Sequence, residues 1–301
     1  MSAKPVLSKL RTEQLNAASA DLDRLSALEI ARVINSEDAK VAAAVERVLP
    51  QVAVAIDAIA GALADGGRLI YVGAGTSGRI AALDAAECPP TFNTAPQTVQ
   101  YVIAGGDKAL SLALEANEDS RALGRRDIMR KRPTRKDVVV ALAASGHTPY
   151  TVAALEYAHQ RGAATVSVTC NPDSPLERIA DIPIVIDVGP EVVAGSTRMK
   201  AATAQKLVVN MLSTGAMARL GYVYGNLMVN LHLSNRKLLE RGFAILQQAA
   251  GIDREVAEKT LLAAKMSVPV ALVMLKAGVS KGEAVRRLKR ANGHVRKAIG
   301  M

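Results

Sequence analysis

Two short stretches combine small residues with hydroxyl donors in a way that suits an anion. In "VGAGTSGR", Gly75, Thr76 and Ser77 stand between an apolar run and a helical pattern. In "ASGHTPYT", Ser145, Gly146, His147 and Thr148 hold the same place after a later apolar run, with Pro149 opening the next helical pattern. Glycine lets the backbone approach a ligand closely, and a helix start presents N–H groups without intrahelical partners at a positive pole. One hydroxyl-rich helix start is commonplace; two at adjacent strand tips form a converging cradle for a terminal phosphate. The first stretch also spells G-x-G-x-x-G, the dinucleotide pattern. Dinucleotide sites place an acid at the tip of the second strand. Here that strand ends Ile103-Ala104-Gly105-Gly106, and Asp107 stands beyond both glycines. The stretch therefore reads as a phosphate loop.

Other chemistry-bearing residues are scattered. Glu87 precedes Pro89-Pro90, and Glu115, Glu118 and Asp119 sit in "LEANEDS". Taken alone, Glu87 is a helix-end acid, and Glu115 and Asp119 are a solvated helix surface. Glu191 follows the last apolar run, and Ser196 and Thr197 are the candidate cap and first-turn hydroxyl of a long helix. These three either line a ligand pocket or form a cap beside a solvated acid. His232 falls in an apolar helical pattern and reads as packed. Cys88 and Cys170 are far apart without C-x-x-C spacing, so neither a disulfide framework nor a zinc site is expected. Cys88 has no nearby histidine to activate it and reads as packing.

The elements that must position these residues alternate. Apolar or β-branched runs at Arg68–Val72, Thr98–Ile103, Asp137–Ala143, Ala164–Thr169 and Ile182–Asp187 show no period of two, as strands buried on both faces do not. Helical patterns fall at Gly78–Ala86, Asp107–Met129, Pro149–Arg161 and Pro175–Ile179. Five strands with helical crossovers predict an α/β fold: a five-stranded parallel sheet in an α/β/α sandwich, with ligands at the strands' carboxyl ends. Before the sheet, Ser26–Gly67 is helical, with Ser36 as a candidate N-cap and Asp65-Gly66-Gly67 as the stop. After Gly189 the chain is helical: Ser196–Arg219, Tyr222–Gly242, then a basic tail, Ile252–Ile299, broken into a three-helix appendage. The boundaries expected are 1–57 for arm and N-terminal helices, 58–221 for the sheet domain that binds the ligand and 222–301 for the C-terminal helical region.

The 301 residues are half apolar and suffice for a substantial core, and the formal charge is +10. The charge clusters in Arg121–Lys136 and Lys281–Lys297 without interleaved aromatics, which argues against nucleic acid as a partner. No hydrophobic leader precedes the helices, and every long apolar run is interrupted by polar residues. A cytoplasmic protein without a membrane partner is expected.

These residues together carry a resemblance. "GAGTSGR" and "ASGHTPYTVAAL" resemble the SIS (sugar isomerase) domain, a flavodoxin-like five-stranded α/β/α sandwich that binds phosphosugars. "TEQLNAASADLDRLSALEIARVINSED", "GAGTSGRIAALDAAECPPTF", "IAGGDKALSLALEANEDS" and the run from Gly189 to Gly242 are similar to the N-acetylmuramic acid 6-phosphate etherase family, from about Thr12 to the C-terminus. Leu15 and Ala17 replace a more polar family stretch in the arm. The resemblance implies cleavage of the D-lactyl ether, giving N-acetylglucosamine 6-phosphate and D-lactate in peptidoglycan recycling. It also implies homodimers with sites near the subunit interface, and no cofactor or metal. It implies Glu87 as the general acid at the lactyl oxygen and Glu118 as the base at C2. Gly75, Thr76, Ser77, Ser145, Gly146, His147, Thr148, Glu191, Ser196 and Thr197 are the expected substrate-binding set. Two alternatives stand beside this: an aldose–ketose isomerase, which also needs a base at C2, and a non-catalytic phosphosugar sensor.

Overall fold

The structure, a computed structural model, describes residues 10–114, 117–233 and 235–301. The chain divides into two compact units. One takes the chain up to Ala85 and then Gln97–Leu212; the other takes Ala86–Pro96 and Ser213–Met301.

The first unit holds a five-stranded, all-parallel sheet of β1 (Leu69–Gly73), β2 (Val99–Ile103), β3 (Val138–Leu142), β4 (Ala164–Thr169) and β5 (Ile182–Val185). The order is β2-β1-β3-β4-β5. β1 and β3 are buried throughout, which is why they read as unbroken apolar runs. On one face Ile70, Val72, Val139 and Ala141 pack under α4 (Arg121–Lys131) and α5 (Pro149–Gln160). Those two helices lie so close that a Cβ on Gly124 would overlap the Tyr150 carbonyl oxygen. α2 (Leu49–Ala64) packs against β1, β3 and β5. Tyr71, pointing the other way from Ile70 and Val72, donates to Asp84 of α3 (Gly75–Phe92) at 2.8 Å. The α/β/α sandwich expected from the alternation is present.

Several boundaries differ from the sequence reading. α1 (Ala27–Glu46) starts at Ser26, which forms a capping box with Glu29; Ser36 lies inside the helix. α3 does not stop before Pro89-Pro90 but runs through them. The prolines cannot donate to the carbonyls of Ala85 and Ala86, and the unit boundary falls at those two residues.

Asp107–Met129 is not one helix. A 3₁₀ turn spans Gly106–Leu110, and α4 begins only after its cap Ser120. Arg79 explains the interruption: its guanidinium donates to the carbonyls of Ala109 (2.9 Å) and Leu112 (2.8 Å), groups a helix would have used itself. Glu118 and Asp119 therefore lie in a loop, not on a helix face. Glu115 lies outside the described residues.

α6 (Pro175–Ile179) precedes β5, and α7 (Lys200–Arg219) follows it, starting four residues later than expected. Its cap is neither Ser196 nor Thr197. The buried Glu191 carboxylate accepts from the backbone N–H groups of Lys200 and Ala201, both at 2.9 Å, so the expectation of a solvated acid at 191 is corrected.

The second unit has its own core, with Val229, Leu231, Leu246, Leu261 and Leu272 at its centre. It contains α8 (Arg236–Ala250), α9 (Arg254–Ala263), α10 (Val268–Ala277), α11 (Lys281–Arg290) and α12 (Val295–Ile299), so the tail expected as three helices from Ile252 to Ile299 holds four. Tyr222–Leu233 is not helical; Val229 and Leu231 are buried at every second position, an extended-chain pattern, with a turn at Tyr224–Leu227. His232 is consequently exposed in extended chain rather than packed on a helix.

Among the described residues, no single helix is long and apolar enough to cross a membrane. No group of three or more His, Cys, Asp or Glu side chains there is disposed to hold a metal.

Candidate phosphosugar site

β1 and β3 are neighbours, with Gly73 paired to Leu142, but the chain leaves them in opposite directions, toward β2 and toward β4. Their carboxyl ends thus flank the topological switch point, where open α/β sheets hold ligands. The two hydroxyl-rich loops are these two strand tips.

A cleft of about 1620 Å³ opens there, formed from the first unit. Gly75, Thr76, Ser77, Glu118, Ser145, His147, Thr148 and Thr197 line it. Gly146, Glu191 and Ser196 do not form its wall. Gly146 instead shapes the second loop: at φ +71° its Cα lies against the buried Ser174 that caps α6. Glu87 belongs to the second unit and is exposed on α3.

In the first loop, the three glycines meet three different neighbours. A Cβ on Gly73 would stand 2.9 Å from the backbone nitrogen of Gly78, and one on Gly78 would stand 2.5 Å from Ile103 Cγ1. Both are close backbone and helix–strand approaches. Gly75, at φ +52°, differs: a Cβ there would stand 2.9 Å from Glu118 Oε1. Ser77 donates to Gln205 Oε1 at 2.8 Å, so its hydroxyl hydrogen is used in joining α3 to α7.

Glu118 is fixed at both ends. Its carboxylate rests over Gly75, and its carbonyl accepts from the Tyr150 N–H at 3.0 Å, in the first turn of α5. It therefore ties together the two loops that flank the switch point. In the second loop, the Ser145 hydroxyl accepts from the His147 N–H at 3.1 Å, and His147 Nδ1 lies 2.7 Å from the Ser145 carbonyl. A carbonyl only accepts, so in this contact Nδ1 carries the hydrogen.

The wall around Thr197 rests on a buried charge network. Lys200 donates to Glu37 at 2.6 Å, both essentially inaccessible, and Glu37 also accepts from Asn16 and Lys40. Burial alone would raise the Glu37 pKa, but these hydrogen bonds outweigh it and hold the carboxyl at about 2. Burial raises the Glu191 carboxyl, against its two backbone donors.

The cleft has further members outside the expected binding set, among them Asp119, which was expected as solvated helix surface. Arg79, Arg121 and Arg178 bring positive charge to it, and Glu13 and Asp119 bring carboxylates. Arg79 closes "GAGTSGR" one turn after the loop and was legible there. Glu13 lies in a 3₁₀ turn of the N-terminal arm, Arg11–Glu13, where no periodicity points to a ligand.

Residues 51–159 match the family of the glucokinase regulatory protein N-terminal SIS domain, and residues 127–215 match the SIS domain. Residues 225–267 match the C-terminal lid domain of glucokinase regulatory protein. Among solved structures, a phosphoheptose isomerase from Francisella tularensis is similar at 17% identity and a TM-score of 0.51, covering 64% of this chain and 100% of that one, a likeness of fold. N-acetylmuramic acid 6-phosphate etherases are far nearer in sequence. That of Klebsiella aerogenes is 51% identical over 97% of this chain and 98% of its own, and that of Vibrio vulnificus strain YJ016 is 52% identical over the same shares. With half of all positions shared from end to end, and with a phosphate-type cleft at the switch point of an SIS sheet, this chain belongs to the N-acetylmuramic acid 6-phosphate etherase family.

Proposed function

We propose that the protein cleaves the D-lactyl ether of N-acetylmuramic acid 6-phosphate by elimination followed by addition of water, yielding N-acetylglucosamine 6-phosphate and D-lactate. The observation that carries this reading is the Glu118 carboxylate, held over Gly75 between two phosphate-type loops. Family membership supplies the substrate.

The chemistry needs two proton carriers. In the closed sugar, the C2 hydrogen is a poor acid; in the open-chain aldehyde it is α to a carbonyl. Glu118 takes that proton, the C2–C3 double bond forms, and the C3–O bond breaks as the lactyl oxygen is protonated. Water then adds its oxygen to C3 and a proton returns to C2. Each positioned proton carrier contributes roughly 10²–10⁴-fold. The acid is Glu87 by correspondence with the family, a role independent of the cleft geometry described above. The phosphate lies toward Ser145–Thr148 and the Thr76–Ser77 amides rather than on Gly75, because the Glu118 carboxylate beside Gly75 repels it. Glu191 acts indirectly, through the two backbone N–H groups it accepts from at the start of α7. The working enzyme is a cytoplasmic homodimer.

The test is turnover of authentic substrate in heavy-oxygen water, with D-lactate assayed and the sugar analysed for label. The reading expects lactate, with the label at C3 of the sugar. A protein that binds the substrate and releases no lactate is a sensor, as the regulatory-protein matches allow, and the proposal fails. Glu118→Gln should abolish both C2 hydrogen exchange and lactate release, whereas Glu87→Gln should slow release while exchange continues; the reverse pattern swaps the roles.

A further inference from the structure

The N-terminal arm brings a second carboxylate, Glu13, to the wall of the cleft, and the way it is mounted is unusual for a surface acid. Its neighbour Thr12 is fully buried. The Thr12 N–H donates to Asn171 Oδ1 at 3.4 Å, and Asn171 Nδ2 donates back to the Thr12 hydroxyl at 3.1 Å. The same Nδ2 donates to the Ala144 carbonyl at 3.0 Å, which ties the arm to the tip of β3 next to Ser145. The Thr12 carbonyl accepts from the Gly195 N–H at 3.2 Å. Gly195, at φ +76°, has no side chain because the Glu13 carboxylate occupies that space: a Cβ there would stand 2.8 Å from Glu13 Oε2.

The mount therefore spends a buried threonine, a buried asparagine and a left-handed glycine on fixing one half-buried carboxylate at a cleft wall. Among the described residues no hydrogen bond or ion pair uses that carboxylate's oxygens. Its acceptor capacity is open to a ligand.

We propose that Glu13 is a substrate-positioning residue that accepts hydrogen bonds from hydroxyl groups of the sugar phosphate. This rests on the phosphosugar reading of the cleft. A carboxylate repels phosphate and the lactyl carboxylate, and it accepts only from O–H or N–H donors. Glu13 therefore fixes orientation in two ways: it binds the neutral, donor-rich part of the sugar, and it turns the anionic groups toward the loops and the arginines. A hydrogen bond to a charged acceptor contributes about 1.5–3 kcal/mol, so its loss weakens substrate binding about tenfold to a hundredfold.

The experiment compares wild type, Glu13→Ala and Glu13→Gln. KM and kcat are measured for lactate release, the dissociation constant of N-acetylglucosamine 6-phosphate by calorimetry, and inhibition by inorganic phosphate alone. The expected result for Glu13→Ala is a KM and a dissociation constant raised at least tenfold, with kcat changed less than threefold and phosphate inhibition unchanged. Glu13→Gln, which keeps an acceptor oxygen, should recover most of the loss. Sugar-phosphate and phosphate binding weakened in parallel would overturn the proposal, since a collapsed wall affects both. So would kinetics within twofold of wild type, or a kcat lost at constant KM. If wild type releases no lactate, the etherase reading fails, while the calorimetric comparison still decides the role of Glu13.

Discussion

Gly75→Ala separates the two things this glycine does. Its φ of +52° lies in the left-handed region, where an L side chain costs about 1–2 kcal/mol. The new Cβ would also stand 2.9 Å from Glu118 Oε1, whereas ordinary contact starts at 3.4 Å, so the carboxylate must withdraw by about 0.5 Å. Glu118 Oε1 ends a flexible side chain, so this withdrawal adds little to the folding cost. It costs much in activity if Glu118 is the base, because a misplacement of about 1 Å at a reacting group can remove 10²-fold in rate. The expected outcome is a melting temperature lower by roughly 2–8 °C, with kcat for lactate release and C2 hydrogen exchange both down on the order of tenfold or more. Gly66→Ala is the control. Gly66 has φ +76° with nothing within 4 Å of an added Cβ, so it carries the same backbone strain without the clash. Stability should fall alike in both variants and activity only at Gly75. Equal activity in the two would refute the reasoning: Glu118 would not work from its position over Gly75.

Glu37→Gln leaves the Lys200 ammonium buried without its counter-charge and should cost about 3–5 kcal/mol of stability, read from urea unfolding at pH 7. The same pair sets an acid limb. With the Glu37 pKa depressed from 4.5 to about 2, its contribution is complete above pH 4.5 and is lost as pH falls from there toward 2; a urea midpoint in Glu37→Gln as acid-sensitive over that window as in wild type would contradict it. Gly124→Ala pushes α4 off α5 at the Tyr150 carbonyl, a backbone atom that cannot swing aside. It should destabilise by more than about 2 kcal/mol, measured by thermal melting, well beyond the propensity gain of about 1 kcal/mol that alanine brings to a helix interior.

The sheet was legible because buried parallel strands write themselves as apolar runs; β4 falls at Ala164–Thr169 as read, and the others lie within two residues at each end. What the sequence could not convey is where side chains take over backbone hydrogen bonds. Arg79 claims carbonyls at Ala109 and Leu112, and a pattern that looks helical through that region becomes a turn and a loop. Glu191 claims two amides, and α7 starts at Lys200 instead of Ser196. Both interactions join residues nine or more positions apart, beyond any local propensity. The Tyr222–Leu233 stretch went astray for another reason: its apolar residues serve every second position of the second unit's core, and a run that rich in Val, Leu and Met matches a helix equally well. The cleft's loops were visible as composition. Glu13 was not, because its position depends on a buried Thr12–Asn171 pairing across most of the first unit.

The glycine pattern itself shows why spacing alone misleads. In a dinucleotide loop the middle glycine leaves room for a pyrophosphate against the backbone. Here the corresponding room beside Gly75 is taken by the chain's own Glu118 carboxylate. At about 4 Å, two like charges near a protein surface repel by roughly 4 kcal/mol, and a pyrophosphate carries more than one. The helix pole at α3 offers about half an elementary charge, typically 0.3–1 kcal/mol and up to about 2 kcal/mol in partly buried settings, which does not offset that repulsion. Gly73 and Gly78 keep the geometric roles the pattern assigns, close turn and close helix–strand packing. Only the middle glycine differs in its occupant, a side-chain carboxylate in place of a ligand's phosphate. A loop of this spacing here faces one acid that arrives from a segment some 40 residues downstream, the base of the proposed mechanism.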